Sequence, residues 1–334
     1  MNTRKAPATL FCFIILFFYS STTCFSQIPI NWANKINCDY GSDDFTTAIV
    51  GDVNGNLISV GSYQGTVDID PSANKYYLST RGGYDMYLVK YDSSGALLWA
   101  KSMGGAVGDI PSDVLTDAAG NIYITGSCSS LMDFDGSGDT AFIKPIGNAA
   151  ASSIFLAKYD ALGNLIWAKM MGGTGFGFGK KMKLDSNGDI ILVGNFKVTV
   201  DFDPSAAVQN LSASGSNYYD VFLSKFTPAG NLVWVNRIGG GDYDEVNGLI
   251  LDSNDNLCIT GYMNQTVDFD PGPATYNLTQ PVNNQAGFLA QYNNQGGFVW
   301  ALLLGEAGSD VAIDAFGKLR VSGYTIINNL ETAF

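Results

Sequence analysis

The sequence predicts an all-β protein built from a repeated four-stranded antiparallel sheet, and three observations lead to that prediction. The five tryptophans stand at the same place of a repeat, 67, 68, 67 and 66 residues apart: Trp32, Trp99, Trp167, Trp234 and Trp300. Glycine is abundant, with 39 of 334 residues, as is typical of many short strands joined by tight turns. No stretch has the Lys, Glu and Ala pattern of a long helix. A fixed period of this kind indicates a repeat architecture.

Each repeat opens with a hairpin. Its first strand ends at a recurring aspartate, and a turn such as DSNGD or DAAGN follows, in which glycine supplies the positive φ that the turn needs. The second strand then closes on a glycine. The aspartates are Asp52, Asp117, Asp185, Asp252 and Asp314, and the closing glycines are Gly61, Gly126, Gly194, Gly261 and Gly323.

A second hairpin completes the repeat. Its first strand reads MYLVKY, IFLAKY, VFLSKF or GFLAQY, and after a polar turn the next strand carries the tryptophan. Two hairpins give a four-stranded antiparallel blade of about 67 residues. Such a sheet buries one face at most, whereas sheets stacked around an axis bury both. The sequence therefore predicts a β-propeller. The alternative, a linear β-solenoid, usually has shorter coils and no paired hairpins.

The repeat also resembles a known family. The stretches DSNGDIILVGNFKVTVDFDP and FLAKYDALGNLIWAKMMGG recur in register over nearly all of Ile28 to Tyr324. They are similar to the bacterial SBBP β-propeller repeats of secreted and surface proteins, which are common in Bacteroidetes. The resemblance implies a propeller and an exported protein, and it implies no established activity.

Two parts are predicted along the chain. Residues 1–26 have the pattern of a signal peptide, because a basic start at Arg4 and Lys5 precedes the apolar run Leu10–Tyr19. We therefore expect a secreted or outer-surface protein, and no later apolar run is long enough to span a membrane. Residues 27–334 form the propeller, with an entering strand at 27–37, blades at about 38–101, 102–169, 170–236 and 237–302, and a partial blade at 303–334.

The partial blade leaves two alternatives open. In one, the strand around Trp32 joins the pair Val311–Ala315 and Lys318–Gly323 and completes a fifth blade, so that the ring closes with four complete blades plus one split blade. In the other, the chain is an open arc or a truncated piece of a longer propeller. The sequence shows no third strand after Gly323, and this favours the second alternative.

Charge and composition exclude several classes of function. The formal net charge is −13, and it becomes −15 when Arg4 and Lys5 leave with the signal, so the surface repels nucleic acid and anionic lipid. The chain has no histidine, which excludes Ser-His-Asp catalysis and histidine-ligated zinc. Cys128 and Cys258 stand where other repeats have aromatic residues, and we expect both to be small, unpaired core residues.

Pairs of aspartates two positions apart are the most distinctive polar feature, in segments such as TVDFDP. Residues two apart in an extended segment share a face, so each pair could hold Ca²⁺ while the residue between them packs. The alternative, aspartates that form a turn before proline, is favoured. The predicted metal ligands are Asp68, Asp70, Asp133, Asp135, Asp201, Asp203, Asp268 and Asp270, and calcium is the one cofactor considered.

No catalytic residues are predicted. The carboxylate pairs recur in every complete repeat, whereas a catalytic site normally breaks such symmetry. The glycine-rich segment Gly172–Lys183 does not match a phosphate loop, because Lys181 follows Lys180, and we expect it to connect two blades. The predicted function is a non-enzymatic binding or scaffold module for a protein or glycan. The alternatives are a polysaccharide-acting hydrolase or lyase, which needs an asymmetric acidic cluster, and a fragment of a longer surface protein.

Overall fold

A computed structural model describes residues 37–38, 44–136, 142–143, 152–215, 217–280, 285–305, 307–327 and 330–333. All regular secondary structure in these residues is β-strand. The predicted signal peptide and the segment around Trp32 lie outside the described residues.

The strands fall into five units that follow the sequence repeat. A short strand precedes them: β1 (Asn37–Cys38). The first unit contains β2 (Phe45–Gly51), β3 (Leu57–Tyr63), β4 (Thr66–Asp68), β5 (Tyr77–Ser79), β6 (Asp85–Tyr91) and β7 (Leu97–Met103). The second contains β8 (Asp109–Thr116), β9 (Ile122–Cys128), β10 (Met132–Asp133), β11 (Phe142–Ile143), β12 (Ser153–Tyr159) and β13 (Leu165–Gly173).

The remaining units repeat this order. The third contains β14 (Phe176–Leu184), β15 (Ile190–Lys197), β16 (Thr199–Asp201), β17 (Asn210–Ser212), β18 (Asp220–Phe226) and β19 (Leu232–Gly240). The fourth contains β20 (Glu245–Leu251), β21 (Leu257–Met263), β22 (Thr266–Asp268), β23 (Asn277–Thr279), β24 (Ala286–Tyr292) and β25 (Phe298–Leu304). The fifth contains β26 (Ala307–Ile313), β27 (Leu319–Ile327) and β28 (Leu330–Ala333).

The long strands of each of the first four units form one antiparallel sheet in sequence order, beginning with β2-β3-β6-β7 in the first unit. The first strands of neighbouring units contact each other along the series β2, β8, β14, β20 and β26. These strands therefore lie innermost, and the tryptophan-bearing fourth strands lie at the outer edge. The fold is a β-propeller of four-stranded antiparallel blades, as the sequence predicts.

A short hairpin between the second and third strands ties each blade to the preceding one. In the third unit, β16 pairs with β17 and also with the end of β13 in the second unit, where Gly172 faces Asp201. The same register recurs between the third and fourth units, where Gly239 faces Asp268, and as a single bridge from Gly104 to Asp133. These four hairpins, β4–β5, β10–β11, β16–β17 and β22–β23, define one face of the propeller, called the hairpin face below.

The strand β1 makes the same connection to the first unit. Asn37 pairs with Asp68 and Cys38 with Val67, in the register that Gly172 and Gly173 adopt with Asp201 and Val200. The segment before the first unit thus occupies the place of the end of a fourth strand.

Apolar side chains fill the space between neighbouring sheets. One cluster joins Ile58 and Leu88 of the first blade to Val114 and Phe155 of the second. Equivalent clusters lie between the second and third blades and between the third and fourth. Cys128 and Cys258 are buried and unpaired, as expected.

Trp99, Trp167 and Trp234 lie between blades, as the repeat predicts. A Cβ on Gly163 would lie 3.0 Å from the Trp99 ring, and one on Gly230 would lie 3.2 Å from the Trp167 ring. Each ring therefore lies on the turn between the third and fourth strands of the next blade. Trp167 also donates a hydrogen bond from Nε1 to the carbonyl oxygen of Pro228, at 3.3 Å.

In the fifth unit, β28 pairs only with Tyr324–Ile327 of β27, beyond Gly323, whereas the third strand of the first blade pairs along all of Leu57–Tyr63. One sequence-based expectation is wrong. The glycine-rich segment Gly172–Lys183 is not a connecting loop, because Phe176–Leu184 forms the innermost strand of the third blade. Glycine and lysine are poor strand formers, and packing against the neighbouring first strands overrides that local preference.

We expect Trp167→Ala to lower the free energy of unfolding by about 3 kcal/mol, because it removes a ring packed between two blades. Chemical denaturation measures this loss. Ile166→Ala is the matched control, since Ile166 is on the same strand but 50% exposed, and it should change stability little. Equal losses in the two variants would contradict an interblade role for the ring.

Candidate functional site

The first aspartate of each DxD pair accepts hydrogen bonds from its own hairpin. Oδ1 of Asp201 accepts the backbone N–H of Asp203 at 3.1 Å and that of Gln209 at 2.8 Å. Asp68 and Asp268 make the same two kinds of contact. The residue between each pair is buried, as the alternation predicts: Ile69, Phe134, Phe202 and Phe269.

Basic side chains neutralise two of these carboxylates. Lys75 Nζ lies 2.5 Å from Asp68 Oδ2, and Arg81 lies 2.7 Å from Asp133 Oδ2. The hydrogen bond from Lys75 is the main cause that lowers the pKa of Asp68. Within the described residues, no group of three or more Cys, Asp or Glu side chains is arranged to hold a metal ion. This geometry favours the turn-forming interpretation, and calcium binding by the eight aspartates stays a prediction.

The recurring aspartate at the end of the first strand also has a structural role. Asp52 accepts the backbone N–H groups of Asn54 and Asn56 and pairs with Lys90 of the third strand at 2.8 Å. Burial by itself raises the pKa of Asp52, but hydrogen bonds from Lys90 and Asn56 outweigh it and lower the pKa to about 2. Lys225 and Asp185 form the equivalent pair in the third blade at 2.7 Å. These ion pairs fix the turn within a blade.

Two pairs of fully buried aspartates lie where neighbouring blades meet. Asp85 of the first blade interacts with Asp109 of the second, and Asp220 of the third with Asp244 at the start of the fourth. Burial, followed by the charge of the neighbouring carboxylate, raises the pKa of Asp109 to about 7 and that of Asp244 to about 8. Burial likewise raises the pKa of Asp85 to about 6.

These aspartates explain the two glycines at the end of the tryptophan strand in the first and third blades. Asp109 accepts the backbone N–H of Gly105 at 2.8 Å, and Asp244 accepts that of Gly240 at 2.7 Å. The preceding glycine leaves room for the other carboxyl, because a Cβ on Gly104 would collide with the side chain of Asp85. The pairs therefore belong to the interface between blades.

A cavity lies where the first strands of the five units approach one another at the central axis. It has a volume of about 640 Å³, and residues from the first strands of all five units line it. Each first strand has a β-bulge at the same place, five residues before the recurring aspartate. A bulge re-aims the side chain of the extra residue. The bulged residues are Thr47, Ser112, Lys180, Asn247 and Ser309, and all five line the cavity.

The five units do not contribute equivalent side chains to the cavity, and the main difference lies between the third and fourth blades. Lys180 Nζ lies 2.7 Å from Glu245 Oε1, and the hydroxyl of Tyr262 donates to Glu245 Oε2 at 2.5 Å. Lys181 also lines the cavity, and none of the ion pairs in the described part of the chain involves it. The site thus combines an ammonium group, a hydrogen-bonded carboxylate and a phenol with hydroxyl and amide groups from the other blades.

Sequence reasoning missed this site. Its signal is visible once the repeats are aligned on the recurring aspartate, because the fifth position before it is polar in every copy and different in most. The sequence instead singled out the DxD pairs, which the structure places on the hairpins and does not bring together.

Comparison with known proteins gives distant similarities. No protein-family model matches the chain, so the resemblance to SBBP repeats stays a prediction. An uncharacterized WD repeat-containing protein of Acanthamoeba polyphaga mimivirus is 28% identical over 182 residues, which cover 52% of this chain and 13% of that protein. The regulatory protein FlaEY of Caulobacter vibrioides is 22% identical over 270 residues, covering 77% of this chain and 27% of that protein. The chain therefore matches about a quarter or less of the length of these relatives.

Two solved structures align with most of this chain, but with low TM-scores. A protein of unknown function from Bacteroides caccae has a TM-score of 0.33 and 10% identity, with 83% of this chain and 86% of that chain covered. BamB from Moraxella catarrhalis has a TM-score of 0.33 and 12% identity, with 84% and 80% covered. Among the described residues there is no helix with the length and hydrophobicity that crossing a membrane requires.

We expect stability to fall as pH rises from 5 to 9. The pKa values of Asp85, Asp109 and Asp244 are about 6, 7 and 8 in the folded protein, above the ordinary value of 3.8, so the folded state binds extra protons in this range. The contribution of these three carboxyl groups to the free energy of unfolding is complete below about pH 4. It is lost as the pH rises through their pKa values in the folded protein.

Thermal melts at pH 5.5 and pH 8.5 measure this dependence, and the melting temperature should be several degrees lower at the higher pH. Asp109→Asn should narrow the difference, because the amide keeps an acceptor for Gly105 and carries no charge. Asp92→Asn is the control, since Asp92 is only partly buried and its pKa is lowered by hydrogen bonds from Ser94 and Ala96, so that its carboxyl stays ionised throughout. If Asp109→Asn shows the same difference in melting temperature between the two pH values as the wild type, Asp109 is not a source of the pH dependence.

Proposed function

We propose that the protein is an exported, non-enzymatic binding module that holds its ligand in the central cavity. The observation that carries this proposal is the ring of five bulged residues, which turns polar side chains from every unit toward one cavity. Five strands depart from regular pairing at the same place, and the residue placed there differs between most blades. Such an arrangement suits recognition of an asymmetric polar ligand.

The chemistry of the cavity supports binding over catalysis. A polysaccharide-acting hydrolase or lyase predicts an asymmetric acidic cluster, and glycoside hydrolysis uses two carboxyl groups that flank the scissile bond. The cavity instead has two lysines on one side, Lys180 and Lys181, and a single carboxylate. That carboxylate, of Glu245, is bound by Lys180 and Tyr262. A ligand would find hydrogen-bonding groups that are already fixed in place.

Export and an extracellular or cell-surface address are part of the proposal. They rest on the basic and apolar pattern of residues 1–26 and on the resemblance to repeats of secreted proteins. The ligand is then a protein or glycan met outside the cytoplasm. The SBBP assignment belongs to the same proposal.

The proposal also includes a closed ring of five blades, with boundaries near those that the repeat predicts. Two observations support it. The register of β1 on β4 matches that of a fourth strand on the next hairpin, and the first strands of all five units line one cavity. In this arrangement the chain around Trp32 supplies the fourth strand of the fifth blade and joins the two ends of the propeller.

Ligand binding is tested by thermal shift with a panel of small polar probes, namely monosaccharides, uronic acids, amino acids and dicarboxylates at millimolar concentration. We expect at least one probe to raise the melting temperature of the wild-type protein and to lose that effect with Lys181→Met. Lys318→Met is the control, since Lys318 is exposed on a turn of the fifth unit. The proposal falls if no probe stabilises the wild-type protein, or if Lys181→Met responds as the wild type does.

Ring closure is tested by shortening the N-terminus. A chain that begins at residue 39 should melt at a lower temperature and less cooperatively than one that begins at residue 27, because the fifth blade loses its fourth strand. Calorimetry of both chains measures the difference. If the two melting curves coincide, the segment before the first unit does not close the ring.

A further inference from the structure

We propose that three tyrosines on the hairpin face between the third and fourth blades form a stacking platform for a sugar ring, and that the ligand of the cavity is an oligosaccharide. The tyrosines are Tyr218, Tyr219 and Tyr243, called the tyrosine platform below. The inference rests on the proposed function and specifies its ligand class.

The platform is built from two connecting segments. Tyr218 and Tyr219 directly precede the third strand of the third blade, and Tyr243 lies between β19 and β20. The ring centroids of Tyr218 and Tyr243 are 4.9 Å apart with an interplanar angle of 73°, and those of Tyr219 and Tyr243 are 6.0 Å apart at 37°. Tyr218 is 37% exposed and Tyr243 is 42% exposed, so ring surface faces solvent.

The platform is held in place from beneath. Phe178 of β14 packs edge-on against Tyr219 with centroids 5.7 Å apart. Lys197 Nζ lies 5.1 Å from the centre of the Tyr219 ring and 4.5 Å from that of Phe176. The aromatic surface is therefore ordered before any ligand arrives, which lowers the entropic cost of binding.

The platform does not line the cavity, but two observations place it near Glu245, which does. The aromatic residue beneath it, Phe178, stands seven residues before the recurring aspartate, where the second blade has Ile110 and the fourth has Glu245, both of which line the cavity. The charge of Glu245 also contributes to the raised pKa of Tyr219, after burial and the neighbouring Tyr243. A ligand can therefore contact the platform and the group formed by Lys180, Glu245 and Tyr262 together.

The combined chemistry is that of a glycan site. The C–H groups on one face of a pyranose ring carry partial positive charge and suit the negative face of an aromatic ring, while its hydroxyl groups both donate and accept hydrogen bonds. The cavity offers an ammonium group, a carboxylate, a phenol and an amide within one volume, with Ile110 and Pro111 as its main apolar lining.

The charge of the protein further restricts the class of oligosaccharide that can bind. The net charge of −13 opposes a polyanionic chain, whereas Lys181 can pair with one acid group. We therefore assign a neutral or singly acidic oligosaccharide, long enough to reach from the platform into the cavity.

The platform is specific to one blade interface. In the first blade, Phe45 and Tyr84 form a pair equivalent to Phe178 and Tyr219, with centroids 6.3 Å apart. At the position of Tyr243, however, the second blade has Gly108, so the equivalent pair lacks the third ring. One interface therefore carries both the aromatic surface and the broken symmetry of the cavity.

The test is binding of the protein to a printed array of neutral and singly acidic oligosaccharides, with a peptide array printed beside it. We expect the wild-type protein to bind a set of related glycans and the double variant Tyr218→Ala/Tyr243→Ala to bind them at least tenfold more weakly. Tyr243→Phe keeps the ring and should retain binding. Tyr77→Ala is the control, since Tyr77 is 61% exposed on the hairpin of the first blade, away from the platform.

The outcomes separate the two proposals. Binding to peptides alone, or to no glycan, overturns the assignment of an oligosaccharide. Glycan binding that is lost in Lys181→Met but unchanged in the double tyrosine variant leaves the cavity as the ligand site and removes the platform. Glycan binding lost in the tyrosine variant but unchanged in Lys181→Met supports the platform and places the ligand outside the cavity. All variants should melt as the wild type does, because the changed side chains are partly exposed.

Discussion

Each blade depends on main-chain hydrogen bonds to the next one. The hairpin between the second and third strands leaves its own sheet and pairs with the end of the preceding fourth strand, as Asp201 does with Gly172. Side-chain packing between blades tolerates small rotations, but main-chain pairing of this kind fixes their relative position and register. The glycines at the end of the fourth strand are required because the hairpin backbone and a buried carboxyl both approach them closely. Repetition of this one contact sets the position of each blade relative to the preceding one.

That geometry has an electrostatic cost at two of the interfaces. Asp85 and Asp109 are fully buried, and one oxygen of each makes no hydrogen bond within the described structure. A carboxyl in such a place is held neutral more readily than ionised. The interface between the second and third blades avoids the cost, because Ser153 and Gly177 stand at the equivalent positions. The interfaces between blades of one propeller therefore differ in their response to pH although their backbones repeat.

The sequence predicted the strands and their pairing well, because alternating apolar residues and turn-forming Asp and Gly are local signals. It also placed the tryptophans between blades, and it predicted the burial of Phe202 from its position between two aspartates. It could not reveal that the hairpin joins the preceding sheet, since this depends on contacts between different repeats. The bulges were missed because they depend on how two strands pair, and Lys180 in a glycine-rich segment looked like part of a loop. The short hairpin that ends the fifth unit was missed because Leu330–Ala333 has no counterpart of the MYLVKY pattern.

Because of the bulges, different residues of each first strand line the cavity and pack between the blades. Two residues beyond each bulged position stands an apolar side chain, and Val114, Met182, Leu249 and Val311 are buried there. The bulged residue itself faces the axis and takes part in no apolar cluster between blades. Evolution can therefore exchange the five axial side chains with little change in stability, so duplicated copies of such a chain could diverge in ligand preference through a handful of substitutions while the scaffold stays the same.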